Sequence, residues 1–132
     1  MRPILSNPGT SPPPAGHYSH AAAGAGLVFI AGQLPVTPEG RRLGGESFDV
    51  QARQVLANVQ AALEAAGTTV SQLLHVRVYL TDIEQWGTFN TIYAEWAGEH
   101  RPARAVVPVP ALHFGLMIEV EAVALAGVTD RP

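Results

Sequence analysis

Two glutamates in one apolar segment are the sharpest candidates for chemistry in this sequence. Glu119 and Glu121 are the only charged residues between positions 116 and 126. If the segment is a strand, residues two apart share a face, so both carboxylates point to the same side. A carboxylate on an apolar surface needs water or a partner group. The two carboxylates therefore either lie at a solvated edge of the protein, or one of them acts as a general acid or base. The residues alone leave both interpretations open.

A single arginine is the natural counterpart of these carboxylates. Arg104 is the only charged residue between Arg101 and Glu119, and it stands in a predicted strand. Its planar guanidinium can bind a carboxylate through two parallel hydrogen bonds. The partner is either Glu119 or Glu121 in a structural salt bridge, or the carboxylate of a bound ligand. Both alternatives remain open from the residues.

The other reactive residue types give no recognisable catalytic or metal-binding pattern. His17 and His20 are three apart on a predicted strand and would face opposite sides, and His75, His100 and His113 stand alone. The chain has no cysteine, so a thiol nucleophile, a disulfide and a thiolate zinc site are excluded. It also lacks a Gly-x-Ser-x-Gly turn, a phosphate loop and a dinucleotide fingerprint. We therefore expect neither a metal nor an organic cofactor.

Charge is sparse and slightly acidic. The 132 residues include 8 arginines, no lysine and 11 acidic residues, which gives a net charge of −3 and a charged share of 14%, against roughly 25% in an ordinary domain. The lack of clustered basic residues argues against nucleic-acid binding. No apolar stretch reaches the ~20 residues of a membrane span, and no signal-peptide core is visible. We expect a cytoplasmic protein that buries part of its surface against another subunit.

The hydrophobic periodicity predicts one domain over residues 1–132, with an extended proline-rich arm at 1–14. Apolar alternation and stripes at steps of three and four predict seven elements. They are strands at 17–23 and 27–31, a helix from a Ser47 or Asp49 cap to about 66, a strand at 75–80, a helix that Asp82 caps and Gly98 ends, and strands at 103–109 and 116–126. The polar segment 37–45 is expected to be a mobile loop. The order β-β-α-β-α-β-β predicts a two-layer α+β fold, in which two helices cover one face of a mixed sheet and the other face needs a partner.

Several short motifs resemble the RidA/YjgF family, the reactive enamine/imine deaminases. They occur in family order and spacing at 16–21 (GHYSHA), 31–35 (AGQLP), 51–58, 80–82, 89–93, 102–104 (PAR) and 118–122 (IEVEA). The resemblance covers about residues 15–126. It implies a chorismate-mutase-like fold and a homotrimer around a central barrel, with clefts between the subunits.

The resemblance also implies roles for individual residues. Arg104 would bind the substrate carboxylate, and Glu119 would position the hydrolytic water or move a proton. Tyr18 and Gly32 would enter the cleft from the neighbouring subunit, and Asn90 would line it.

Some positions depart from the family pattern. Val106 occupies a substrate-binding position where the best-known members carry Cys or Thr, and Glu121 would be the structural carboxylate. His17, Ala31, Ala105 and Pro108 are further departures. The loss of hydroxyl and thiol groups suggests a bulkier or more apolar substrate.

The activity that the resemblance implies is hydrolytic deamination without a cofactor. The substrates would be 2-aminoacrylate and 2-imino acids, and the products 2-oxo acids and ammonia, as in a 2-iminobutanoate/2-iminopropanoate deaminase. The alternative is a non-catalytic trimer that binds carboxylates or 2-oxo acids as a regulator. The absence of lysine disfavours the RNA cleavage claimed for some relatives.

Overall fold

The computed structural model describes residues 2–127, and its two helices lie on one face of a six-stranded mixed sheet. The elements are β1 (Ile4–Ser6), β2 (Ala21–Gly24), β3 (Leu27–Gln33), α1 (Phe48–Ala65), β4 (Leu73–Leu80), α2 (Trp86–Ala97), β5 (Ala103–Pro108) and β6 (Ile118–Leu125). The sheet order is β1-β2-β3-β6-β4-β5. Strands β4 and β5 are parallel, and every other neighbouring pair is antiparallel. The predicted α+β fold is confirmed.

Helix α1 follows its sequence signals closely. Ser47 is the N-cap, and its hydroxyl accepts a hydrogen bond from the Val50 amide at 3.4 Å. The apolar stripe is buried against the sheet. Gly67 adopts a φ of 83° just after the helix, which is the left-handed conformation that a glycine takes without strain.

Helix α2 begins later than its sequence suggests. Asp82 caps a short 3-10 turn at Ile83–Gln85, where its side chain accepts from the Glu84 amide at 3.0 Å, and α2 starts only at Trp86. Trp86 lies outside the buried face of the helix, because 46% of its surface is exposed. The helix instead buries Phe89, Ile92 and Tyr93.

The N-terminal region differs most from the prediction. Strand β2 begins at Ala21, so the predicted strand at 17–23 is wrong over its first four residues, and the argument that put His17 and His20 on opposite strand faces does not apply. Part of the proline-rich arm is itself a strand, since Ile4–Ser6 pairs with β2. Its three residues are too few to show periodicity in the sequence.

Two register shifts change which residues face the helices. One extra residue lies in β3 between the pairs Ile30–Ala122 and Gln33–Val120, which is a β-bulge. A second shift lies between Leu73 and His75 of β4. As a result Leu73 is buried and Leu74 is exposed, although simple alternation with the buried Val76 and Val78 would bury Leu74.

The core fills the layer between the helices and the sheet, and the other face of the sheet is open. On that open face Phe29 is 52% exposed. The segment 37–45 is a short hairpin closed by a Val36–Arg42 bridge, with Leu43 buried beneath it. Among residues 2–127 no helix is long and apolar enough to cross a membrane.

Candidate functional site

Arg104 points to the side of the sheet that the helices cover. It is paired in register with Val76, whose side chain is fully buried on that face. Its Nη1 donates a hydrogen bond to Oδ1 of Asn90 on α2 at 3.0 Å. Its guanidinium carbon lies 4.8 Å from the ring centre of Tyr93, within the range of a cation–π contact. Helix α2 therefore fixes the guanidinium from two sides.

The guanidinium of Arg104 has no carboxylate within salt-bridge distance in the described part of the chain. It lines an open cavity of about 510 Å³ whose wall also includes Asn90, Tyr93, His100 and Arg101, and no acidic residue. Burial raises the pKa of Tyr93, and the nearby charge of Arg104 lowers it in part. A cavity with two arginines and no carboxylate is suited to an anionic ligand.

Val106 does not join this cavity. It lies two residues beyond Arg104 on the same face of β5 and is paired with the buried Val78. Its side chain packs against the hydrophobic core.

Glu119 lies on the open face, where it sits opposite Tyr79 across the β4–β6 pair. Its carboxylate covers Gly32 at the β3 bulge, and a Cβ built at Gly32 would overlap the carboxylate oxygen and lie 3.0 Å from Cδ. A side chain at position 32 would therefore displace the Glu119 carboxylate. The close approach, rather than an unusual φ, accounts for the glycine here.

The environment of Glu119 favours its protonated form. Burial is the main cause that raises the pKa of this carboxyl, the nearby charge of Glu121 raises it further, and His113 lowers it in part. A carboxyl with a raised pKa can both give and take a proton closer to neutral pH. The side chain is thus suited to general acid–base chemistry.

Glu121 is held by its own neighbours on the open face. It accepts a hydrogen bond from the Tyr79 hydroxyl at 2.6 Å, and Arg77 lies 3.6 Å from its other oxygen. The bond to Glu121 raises the pKa of Tyr79. The salt bridge that would join Arg104 to Glu119 or Glu121 is absent among residues 2–127, so this alternative from the sequence is wrong within one chain.

Tyr18 and Gly32 line a second cavity of about 210 Å³. The wall includes Arg42, Phe114 and residues 11–13 of the N-terminal arm. The arm is tied to the sheet through His20, whose amide donates to Asn7 Oδ1 at 2.8 Å. Tyr18 itself is 48% exposed.

These features form two separate candidate half-sites in one chain. The arginine half-site consists of Arg104 and Asn90, and the glutamate half-site consists of Tyr18, Gly32 and Glu119. Strands β6 and β5, which carry Glu119 and Arg104, are two strand spacings apart in the sheet, which is about 10 Å at ~4.8 Å per spacing, and the two side chains lie on opposite faces. The two cavities also have no lining residue in common. One chain therefore does not bring Arg104 and Glu119 together.

A comparison with known protein families identifies the family to which the chain belongs. The family model described as "Endoribonuclease L-PSP" matches residues 8–126. The chain belongs to the L-PSP family. Among similar L-PSP proteins, HMF1 of Saccharomyces cerevisiae is 38% identical over 124 residues, which is 94% of each chain. A RutC family protein of Pyrococcus horikoshii is 44% identical over 115 residues, covering 86% of this chain and 90% of that protein.

Solved structures of L-PSP relatives share the whole architecture. RidA from the Antarctic bacterium Psychrobacter sp. superposes with a TM-score of 0.83 at 36% identity, over 88% of this chain and 94% of that one. TdcF of E. coli, solved with bound serine, superposes with a TM-score of 0.87 at 30% identity, over 94% and 99% of the two chains. The predicted membership of the RidA/YjgF family is confirmed.

Sequence reasoning missed three residues that shape the two cavities of this L-PSP chain. Tyr93 is a buried core residue that also lines the arginine cavity, and its position three residues after Asn90 places both on one side of α2. Arg42 and Phe114 meet across two loops, and no spacing rule connects residues so far apart. Within residues 2–127 no group of three or more His, Asp or Glu side chains could hold a metal ion.

Proposed function

We propose that this L-PSP family protein hydrolyses 2-imino acids and their enamine tautomers to 2-oxo acids and ammonia in the cytoplasm. The observation that carries the proposal is Arg104, a guanidinium fixed by Asn90 and Tyr93 beside an open cavity with no acidic residue in its wall. Such a group is suited to a ligand carboxylate. The relative TdcF, whose structure contains bound serine, offers a precedent for a small carboxylate ligand in this fold.

The reaction needs little beyond the correct placement of the substrate and a water molecule. The imine carbon of a 2-imino acid is already electrophilic, so a water molecule held beside it can add directly. Glu119 takes a proton from the water and returns a proton to the nitrogen, and ammonia leaves as the C=O bond forms. The raised pKa of Glu119 suits both proton transfers. The overall change is imino acid plus water to 2-oxo acid plus ammonia, and it requires no metal or organic cofactor.

The complete site requires more than one copy of the chain. Arg104 and Asn90 belong to one half-site, and Tyr18, Gly32 and Glu119 to the other. We propose a homotrimer in which the arginine half-site of one copy meets the glutamate half-site of the next. The open sheet face, with Phe29 52% exposed, and the sparse surface charge support such an assembly.

The test is the loss of imine that an amino acid oxidase generates in situ. The protein should accelerate the disappearance of 2-iminobutanoate and release an equal amount of ammonia. Arg104→Ala should lower kcat/KM by at least about tenfold, since a charge-assisted hydrogen bond contributes about 1.5–3 kcal/mol. Arg104→Lys should also lose activity because it lacks the planar fork.

The matched control is Arg53→Ala, which removes an exposed arginine of α1 that pairs with Glu95 at 3.1 Å. It should retain wild-type activity. A protein that binds 2-oxobutanoate but does not consume the imine would instead be the non-catalytic binder. Full activity in Arg104→Ala would contradict the proposed role of the arginine.

A further inference from the structure

Arg42 and Phe114 form a stacked pair at the cavity that Tyr18 and Gly32 line. The guanidinium carbon of Arg42 lies 3.5 Å from the centre of the Phe114 ring. Arg42 belongs to the hairpin in segment 37–45. Two contacts close this hairpin: the Val36–Arg42 bridge, and a hydrogen bond that the Thr37 amide donates to the Arg41 carbonyl at 2.9 Å. The pair therefore joins two loops across one cavity wall.

Phe114 holds this position against its own backbone preference. Its φ of 61° and ψ of 23° lie in the left-handed region, which is unusual for a bulky residue. The residue is nevertheless 48% exposed, so burial of the side chain does not explain the conformation. Backbone strain of this kind is concentrated at ligand-binding sites, and here it presents an aromatic face to Arg42.

Arg42 is held by stacking rather than by an acid. In the described part of the chain no carboxylate lies within salt-bridge distance of Arg42, whereas its neighbour Arg41 pairs with Glu46 at 3.5 Å. Stacking occupies the flat face of a guanidinium and leaves the N–H groups at its edge available to a ligand. The cavity wall contains no acidic residue, and Arg42 is its one formally charged member among residues 2–127.

From these contacts we infer that Arg42, positioned by Phe114, recognises a second carboxylate on the substrate side chain, so that the preferred substrates are dicarboxylic 2-imino acids. The inference rests on the proposed function. The α-carboxylate would bind Arg104 of one copy, and the side chain would extend past Gly32 of the other copy to Arg42. This substrate class differs from the bulkier or more apolar one that the sequence suggests, because the stacked arginine is visible only in the structure.

The experiment compares an acidic imino acid with a neutral one. The two substrates are 2-iminoglutarate and 2-iminobutanoate, each generated in situ by an oxidase that accepts the parent amino acid. The wild type should favour the acidic substrate in kcat/KM. In Arg42→Gln the ratio of the two kcat/KM values should fall by at least about tenfold, the effect of one lost charge-assisted contact, and the loss should appear mainly in KM for the acidic substrate.

Arg41→Gln is the matched control, because it removes the same charge from the adjacent residue, which pairs with Glu46. It should keep the wild-type ratio. A wild type that favours the neutral substrate, or an unchanged ratio in Arg42→Gln, would contradict the inference. An equal loss for both substrates would also contradict it, because that result marks Arg42 as a structural clamp for the hairpin.

A protein that turns over neither substrate would overturn the proposed function, and the inference would then be tested by binding. Calorimetric titration should show that the wild type binds 2-oxoglutarate more tightly than 2-oxobutanoate, and that Arg42→Gln loses this preference. Equal affinities in the wild type would contradict the inference.

Discussion

Glu119 carries the proton transfers in the proposed reaction, and its burial has a consequence for stability. The pKa of this carboxyl is raised in the folded protein, mainly by burial. Below the ordinary carboxyl pKa the group is protonated in both folded and unfolded chains and its burial carries no charge penalty. As the pH rises through the raised pKa, the folded state must hold a half-buried charge and loses stability relative to a neutral side chain.

Glu119→Gln should therefore raise the melting temperature at neutral pH, and the gain should disappear at acidic pH. Thermal unfolding of wild type and variant across the pH range checks this. Glu121→Gln is the control, and it should show no gain at neutral pH because it loses the negative charge that pairs with Arg77 and strengthens the hydrogen bond from the Tyr79 hydroxyl. A Glu119→Gln variant less stable than wild type at neutral pH would contradict the conclusion that burial raises the pKa of Glu119.

Gly32→Ala should separate activity from stability. The new methyl group displaces the Glu119 carboxylate, so the imine hydrolysis rate should fall by at least about tenfold. The free energy of unfolding should fall by no more than the roughly 1–3 kcal/mol of ordinary overpacking, because the overlap is with the end of a flexible side chain. Gly24→Ala, at a strand glycine with no atom within 4 Å of a new Cβ, should leave both quantities near wild type. Full activity in Gly32→Ala would show that Glu119 does not take part in the reaction.

At the scale of single residues, the sequence indicates which side chains need a partner but not how those side chains are arranged. The isolation of Arg104 in an apolar segment correctly points to a side chain that needs a specific partner. The partner could not be deduced, because the face of Arg104 relative to Glu119 depends on the order of β5, β4 and β6 in the sheet. The stacked pair of Arg42 and Phe114 had no sequence signal at all.

Helix α1 positions the start of β6, and therefore Glu119, through one buried amide. The Gln51 side chain accepts a hydrogen bond from the Met117 amide at 2.9 Å and donates one to the Glu46 carbonyl at 3.2 Å. Gln51→Leu would leave both backbone groups without this partner, so the free energy of unfolding should fall by about 1–3 kcal/mol. Chemical denaturation measures the change.

Gln60→Leu is the matched control on the same helix. The Gln60 side chain is exposed and bonds only other side chains, those of Glu64 and Trp96. Its replacement should change the unfolding free energy by less than about 0.5 kcal/mol. Equal effects of the two substitutions would show that the Gln51 bonds do not anchor β6.

The elements with long periodic patterns are those that the sequence predicts well. Helix α1, its Ser47 cap and the glycines that follow both helices are clear because caps and stripes are local signals. The three-residue strand β1 and the two register shifts are not local, because they depend on how one strand pairs with its neighbour. The bulge beside Gly32 is the most important of these for function.

The whole molecule presents two half-sites that do not meet within one chain. Sparse charge on the surface and an uncovered sheet face both favour association with further copies. A solution mass measurement should give three copies per particle. A monomeric protein that still hydrolyses imines would contradict the proposed assembly.

Subunit mixing tests the central claim, that one active site combines Arg104 of one copy with Glu119 of another. Arg104→Ala and Glu119→Gln proteins, each inactive alone, are co-expressed with different tags, and the mixed trimers are purified. If the site is shared between copies, each mixed trimer contains one intact site of three, so about one third of the wild-type activity should return, because an intact site needs the unmodified half from each variant. No recovery in mixed trimers, with wild-type activity in a parallel mixture of differently tagged wild-type chains, would show that each chain works alone and would contradict the shared site.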